Sequence, residues 1–268
     1  MTVLGVIGNI SIDTARYPGR RTHRLLGGAA LYVALAAARA DLLARPVAIV
    51  GDGLARLRSD PRLDGLDLRH VSTVRGLDCR FDLTYDRDGR VVSVHSDYGV
   101  AADLTSHALT ALEDAEVDQW HVACRRPLDT IQILRRLLEL ARQFSVDFHL
   151  ASADEQIAAA QAVIPFARMV FVNTAEQQFL ARHIDLATLP AVVVSDGPHE
   201  AVLRRHGTQT ATAVPPTIST REVTGAGDTL TGTFLALTAS GASDHDALTG
   251  AVTAASHRAA SPGLRYRT

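Results

Sequence analysis

Residues 127–194 read PLDTIQILRRLLELARQFSVDFHLASADEQIAAAQAVIPFARMVFVNTAEQQFLARHIDLATLPAVVV, and the order of elements in this stretch decides the fold. Over 127–143, Leu128, Ile131, Leu134, Leu137, Leu138 and Ala141 recur at helical spacing. The short apolar run 146–150 that follows predicts a strand. The exchange then repeats, with a helix over 153–163, a strand over 169–172, a helix over 175–182 and a strand over 191–194. Strands and helices that take turns predict the α/β class, here a three-layer α/β/α sandwich around a mostly parallel central sheet.

Upstream, the run 3–7 is apolar throughout, as expected of a strand buried on both faces. Gly27-Gly28 opens an Ala-rich helix over 29–43, with Pro46 read as its stop and 47–50 as a second buried strand. Downstream, 200–204 is expected to pair antiparallel with 191–194 across Gly197-Pro198. Two helices close the chain. The first starts at Ala226 and aligns Leu230, Phe234 and Leu237 with it; the second takes Ser243 or Asp244 as N-cap.

One stretch breaks the pattern. Residues 80–85 and 90–95 alternate polar and apolar around Asp88-Gly89, the strongest hairpin signal in the chain. Alternation implies a sheet covered on one face only, so parts of 13–26 and 76–98 are assigned to a small β lid on a single domain spanning 1–268. The apolar face of such a lid needs a cover, which makes a homodimer through the lid an expectation.

Composition excludes several classes. A chain of 268 residues, 47% hydrophobic, builds its core without staples. The net charge of −2 argues against a nucleic-acid partner. No apolar stretch reaches the roughly 20 residues of a membrane helix, and no leader pattern precedes the first strand. A cytoplasmic protein with no membrane partner is the expectation. Cys79 and Cys124 show no metal-ligand spacing and are read as buried free thiols. All 27 basic residues are Arg. Chemistry that requires lysine, such as P-loop phosphate binding or Schiff-base catalysis, is therefore excluded.

The segment Thr224-Gly225-Ala226-Gly227-Asp228 carries the most chemistry. Two glycines around an alanine let a ligand approach the backbone, and the amides of a following helix turn favour an anion. Asp228 sits in that first turn beside the anion. An anion hole with an adjacent carboxylate suits phosphoryl transfer, the carboxylate taking the proton of an incoming hydroxyl. The bare pattern is equally read as a glycine-rich helix entry whose Asp228 complements the dipole. It is not a dinucleotide fingerprint, because Leu230 stands at the third glycine position.

Residues 222–234, EVTGAGDTLTGTF, resemble the C-terminal signature of the ribokinase-like (PfkB) sugar and nucleoside kinases. Further matches follow in order along the chain. Gly8-Asn9-Ile10-Ser11-Ile12-Asp13 resembles the family's first strand, and Gly27-Gly28-Ala29-Ala30 its paired glycines. Asn173-Thr174-Ala175-Glu176 is similar to its Asn-x-x-Glu motif, and Ser261-Pro262-Gly263 falls where it closes the nucleotide pocket.

The resemblance implies a ribokinase-like fold with a β lid and transfer of a phosphoryl group from ATP to a hydroxyl of a small polyol, whether sugar, nucleoside or cyclitol. Asp228 would be the base and Gly225, Ala226 and Gly227 the anion hole. Asp13, Gly28 and Tyr32 would meet substrate, and Ser195, Gly197 and Gly263 the nucleotide. Asn173 and Glu176 would organise Mg2+, largely through water.

Three positions depart from the family pattern. Tyr32 replaces an asparagine, and aromatic packing and ligand contact both stay open for it. Glu222 replaces an aspartate near a monovalent-cation site, which weakens the case for that ion. Glu200 replaces a glycine in the nucleotide loop. These departures keep a second reading open, a sugar- or nucleotide-binding protein without turnover on the same fold. A nicotinamide oxidoreductase is disfavoured by the late position of the glycine motif. The arginines Arg16, Arg20, Arg21 and Arg24 are read as a solvated loop, with a phosphate clamp as the rival.

Overall fold

The computed structural model describes residues 2–19, 22–87 and 91–266. The chain opens with β1 (Val3–Ile7), buried along its whole length. It then leaves the body for β2 (Ser11–Arg16) and β3 (His23–Gly27) and returns through α1 (Ala29–Arg39). β4 (Leu43–Val50) and the short β5 (Val71–Thr73) extend the body sheet to one edge, and β6 (Cys79–Tyr85) and β7 (Val91–Asp97) form a second excursion. Then come α2 (Leu104–Ala111), β8 (Gln119–Cys124), α3 (Thr130–Glu139), β9 (Gln143–Phe148) and α4 (Ala153–Ala160). They are followed by β10 (Met169–Asn173), α5 (Thr174–His183) and β11 (Val192–Ser195). The hairpin partners β12 (Ala201–Arg205) and β13 (Thr208–Ala213) precede α6 (Ala226–Ala239) and α7 (Asp244–Ala260).

The body sheet runs β13-β12-β11-β10-β9-β8-β1-β4-β5. Its strands are parallel from β11 through β5, and β12 and β13 close one edge antiparallel, across Gly197-Pro198 as expected. One apolar cluster joins α1, α6 and α7 to one face of the sheet; another joins α2, α3, α4 and α5 to the opposite face. The three-layer α/β sandwich read from the sequence is the architecture observed. From β1 the chain passes to β4 on one side, while β8 lies on the other. In open α/β sheets ligands bind outside the carboxyl ends of the strands at such a reversal.

The lid is a separate four-stranded sheet, ordered β3-β2-β6-β7. Asp13 lies on β2 within this lid, since the first strand ends at Ile7. The turn residues Asp88 and Gly89 lie outside the described residues, as do Arg20 and Arg21. Part of the apolar face offered above as a dimer contact packs against the body. Ala15, Leu25, Leu83 and Tyr85 form a cluster closed by Val223 of the body, while Arg16, Arg80 and Asp82 point outward. Phe81 and Val94 on the same face stay half-buried.

Two boundaries also move. α1 stops at Arg39, before a left-handed Asp41 (φ 63°), and Pro46 sits inside β4. A proline is tolerated there because β5 joins β4 only from Ala48 onward, so the flank beside Pro46 has no full strand to feed. α3 likewise ends at Glu139, and β9 begins at Gln143 rather than 146. Cys79 and Cys124 are buried and free.

Candidate active site

The carboxyl ends of β8, β9, β10 and β11 and the amino end of α6 converge on a cavity of about 200 Å3. Arg125, Asp147, Asn173, Glu176, Gly227 and Asp228 line it. Asp228 belongs to the first turn of α6, whose N-cap is Gly225 in the left-handed region (φ 77°) with no side-chain cap on the turn. Of the three residues expected to form the anion hole, Ala226 gives its amide to the carbonyl of Val223 (3.1 Å). Gly227 faces the cavity.

Arg125 was not singled out in the sequence, yet it organises the site. Its Nη2 donates to Asp147 Oδ2 (2.7 Å) and, more weakly, to Asp228 Oδ1 (3.5 Å). Asp147 lies 3.7 Å from His121 Nε2, and His121 Nδ1 shares a hydrogen bond with Ser145 Oγ (2.9 Å). Burial raises the Asp228 carboxyl above its ordinary range, opposed by Arg125 and reinforced by Asp147. Burial acts on Asp147 in the same sense, but Arg125 and His121 together carry that carboxyl below the ordinary value. The signal for Arg125 in the sequence was slight: it directly follows the three apolar residues Val122-Ala123-Cys124.

Asn173 and Glu176 form a capping box on α5. Asn173 Oδ1 accepts from the amides of Ala175 and Glu176 (2.9 Å each), and Glu176 Oε2 accepts from the Asn173 amide (2.9 Å). The same carboxyl is buried against the cavity, and that burial pushes it up to about 7. Asp147 Oδ1 is a buried oxygen that accepts no hydrogen bond, with His121 Nε2 3.7 Å away. An acidic oxygen set of this kind, with room for water, fits Mg2+, which keeps several waters and few protein ligands. Among the described residues no group of three or more His, Cys, Asp or Glu side chains is placed to hold a metal ion, so such an ion would rest on two carboxylates and water.

A second cavity of about 860 Å3 adjoins the first through Ser195 and Leu230, which line both. Gly197, Pro198, Pro216 and Val252 contribute to its walls, and the lid residues Tyr17 and Arg87 reach its rim. Glu200 is exposed and does not line it. Gly263 is held elsewhere: residues 264–266 are tied to β3 by Leu26 N–H to Leu264 O (2.6 Å) and Tyr266 N–H to Arg24 O (2.9 Å).

Asp13 hangs from the lid strand β2, buried, and accepts a hydrogen bond from Ser11 Oγ (2.6 Å). Gly28 caps α1 at φ 101°, where a Cβ would stand 2.1 Å from the Asn9 carbonyl oxygen. Tyr32, one turn further along, is 4% exposed. Its hydroxyl donates to Leu26 O (3.3 Å), its ring backs Gly225, and Arg258 stacks 5.2 Å from the ring centre.

Burial pushes the Asp13 carboxyl up to about 7, against the Ser11 hydrogen bond and with help from Asp228 and Glu222. The folded chain therefore holds this proton more tightly than the unfolded chain. The resulting stabilisation is complete below the ordinary aspartate value of 3.8 and is lost as pH rises through 7. In the ligand-free protein this contribution is on the order of 4 kcal/mol at its limit. Thermal unfolding across that window is expected to fall more steeply with pH in the wild type than in Asp13→Asn.

The lid is latched to the body next to the α6 turn. Tyr17 donates to Glu222 Oε1 (2.7 Å), and Tyr85 shares a hydrogen bond with Thr224 Oγ1 (3.0 Å). The two tyrosine rings stack at 4.4 Å. Glu222 Oε1 also accepts from the Thr224 amide (3.1 Å) and hydroxyl (2.7 Å). A hydrogen bond to a charged group is worth about 1.5–3 kcal/mol. On the kinase activity that the resemblance implies, Tyr17→Phe is thus expected to raise the acceptor KM roughly tenfold by populating an open lid, with kcat changed less than about threefold. Steady-state kinetics at saturating ATP checks this.

Residues 1–267 match the family described as pfkB family carbohydrate kinase. The chain belongs to that family. A cytidine kinase of Thermococcus kodakarensis is 28% identical over 157 residues, which is 59% of this chain and 55% of that protein. The match thus spans about half the length of this curated relative. Among solved structures, a nucleoside kinase of Burkholderia thailandensis in complex with inosine superposes with a TM-score of 0.80 at 19% identity, covering 97% of this chain and 92% of the other. A ribokinase of Cryptococcus neoformans in complex with ADP gives 0.76 at 17% identity, covering 98% and 95%. These likenesses establish the pfkB fold over the whole body and lid.

Proposed function

We propose that the protein transfers the γ-phosphoryl group of ATP to a hydroxyl of a small polyol, and that a nucleoside is the best-supported acceptor class. The observation that carries the reading is the placement of Asp228 at a helix start without a side-chain cap, in a cavity continuous with a larger one through Ser195 and Leu230. The cytidine kinase relative and the inosine-bound neighbour support a nucleoside over a free sugar.

In this reading ATP occupies the larger cavity with its terminal phosphate at Gly227, and the acceptor lies under the lid against Asp13 and Gly28. Asp228 takes the acceptor's hydroxyl proton as its oxygen attacks phosphorus. Mg2+ would be held through water by Glu176 and Asp147, supplying charge neutralisation to the phosphates. No monovalent cation is assigned, since Glu222 Oε1 already accepts from three protein donors. Tyr32 acts from beneath, as the support of the Gly225 turn. An ATP-supplied cytoplasm suits the two free thiols.

Coupled ADP release over a panel of nucleosides, ribose, fructose and inositol tests the reading. Turnover is expected with a nucleoside at a kcat/KM at least about tenfold above that with any free sugar. Saturable ligand binding without ADP release on any acceptor would favour the non-catalytic reading.

A further inference from the structure

We propose that Arg125 is a catalytic residue of this enzyme, the cation that contacts the phosphoryl group during its transfer. The proposal rests on the reading of Asp228 as base. Arg125 is the first residue past the carboxyl end of β8, next to the point where the sheet reverses its order. Among the described residues it is the one arginine lining the small cavity, among the carboxylates of Asp147, Glu176 and Asp228. A triphosphate end entering this space therefore meets Arg125 as the protein's fixed positive charge. The sequence contains no lysine to take that place.

The bonding pattern leaves Arg125 donors for a ligand. A guanidinium has five N–H donors, and the protein uses only part of this set. Here Nη2 makes one short bond, to Asp147, and one long one, to Asp228, while Nε is buried without a partner. Asp147 in turn stands beside His121 on β8. The side chain is thus anchored on one side and only loosely engaged on the side that faces the base. In the reaction the acceptor oxygen forms a bond to phosphorus as the bond from phosphorus to the β–γ bridging oxygen breaks. ADP leaves with that electron pair, and the acceptor's proton passes to Asp228. Arg125 relaxes its 3.5 Å contact and meets the equatorial oxygens of the moving group, where charge is spread.

The test compares Arg125→Ala, Arg125→Lys and Asp228→Asn in the full chain, by ADP-release kinetics with the acceptor found in the panel and by thermal unfolding. Arg125→Ala is expected to lose about 10²–10³-fold in kcat, with the KM for ATP changed less than about threefold. Millimolar guanidinium is expected to restore at least a tenth of that loss to Arg125→Ala and nothing to Asp228→Asn. Arg125→Lys supplies charge without the fork and is expected to fall between Ala and wild type. If Arg125→Ala does not fold, Arg125→Lys decides: a lowered kcat at unchanged KM supports the role. A folded Arg125→Ala within about threefold of wild-type kcat, or a loss that neither guanidinium nor lysine relieves, overturns it. Retained activity in Asp228→Asn would instead overturn the base assignment, whatever the arginine variants show.

Discussion

Asp228→Asn is expected to lower kcat by about 10²–10⁴-fold while leaving the fold and ATP affinity intact. The side chains are nearly the same size, so the α6 turn is undisturbed, and Arg125 retains its shorter bond to Asp147. What disappears is the acceptor for the hydroxyl proton. Burial raises the Asp228 carboxyl, so the charged form costs the folded protein stability, and an amide removes that cost. The variant should therefore unfold at the same temperature as the wild type or slightly higher. This dissociation of activity from stability marks a residue kept for chemistry. The pH dependence has a definite sign: wild-type kcat should fall as pH drops through the raised value of this carboxyl, and the residual rate of the variant should lack that limb. ADP-release kinetics with parallel thermal unfolding reads all of these. A variant retaining more than a tenth of wild-type kcat would end the assignment.

The parts of this site that were legible from sequence are those built from neighbours along the chain. The α6 turn, the Asn173–Glu176 capping box and the β11–β12 hairpin each lie within a few residues, and each carries its own local chemistry. β8 escaped notice because Gln119 and His121 interrupt its apolar run. His121 is fully buried and is accommodated through Ser145 of β9, a partner 24 residues away that no periodicity reports. Missing that strand meant missing Arg125 at its end. The lid latch is less accessible still, since Tyr17 and Glu222 are 205 residues apart and meet only because the lid folds back over the α6 turn. The alternation at 80–85 correctly implied a one-sided sheet. What packs on that side depends on lid orientation, a tertiary property, and Val223 of the same chain meets part of it. Pro46 shows the same limit from another direction. Its effect on a strand depends on whether a neighbour needs its missing N–H, and that is decided by where β5 joins β4.

Gly225→Ala and Gly227→Ala are expected to fail in opposite ways although only Ala226 separates them. Gly225 has φ 77°, and a Cβ there would stand 2.6 Å from the Tyr32 ring. The left-handed conformation alone costs an alanine about 1–2 kcal/mol, and the ring, enclosed by Arg258 and the α1 packing, has little room to yield. The turn must therefore reshape, carrying the amides of the α6 start and the Asp228 carboxylate away from a transferred phosphate. Loss of preorganised donors of this kind typically costs about 10²–10³-fold in kcat. A fall of several degrees in unfolding temperature should accompany it, as expected for about 2 kcal/mol or more in a chain of this size. Gly227 has an ordinary φ and no atom within 4 Å of a built Cβ. Alanine there should leave stability unchanged or raise it by about 0.5–1 kcal/mol, because glycine in a helix carries the larger entropy cost. The added methyl instead projects toward the space Gly227 lines. The KM for ATP should rise while the unfolding temperature holds. Thermal unfolding and ATP titration of the two variants side by side discriminate between them. Equal losses of stability in both would mean that the turn serves only the fold, and normal ATP binding in both would remove the phosphate from this helix start.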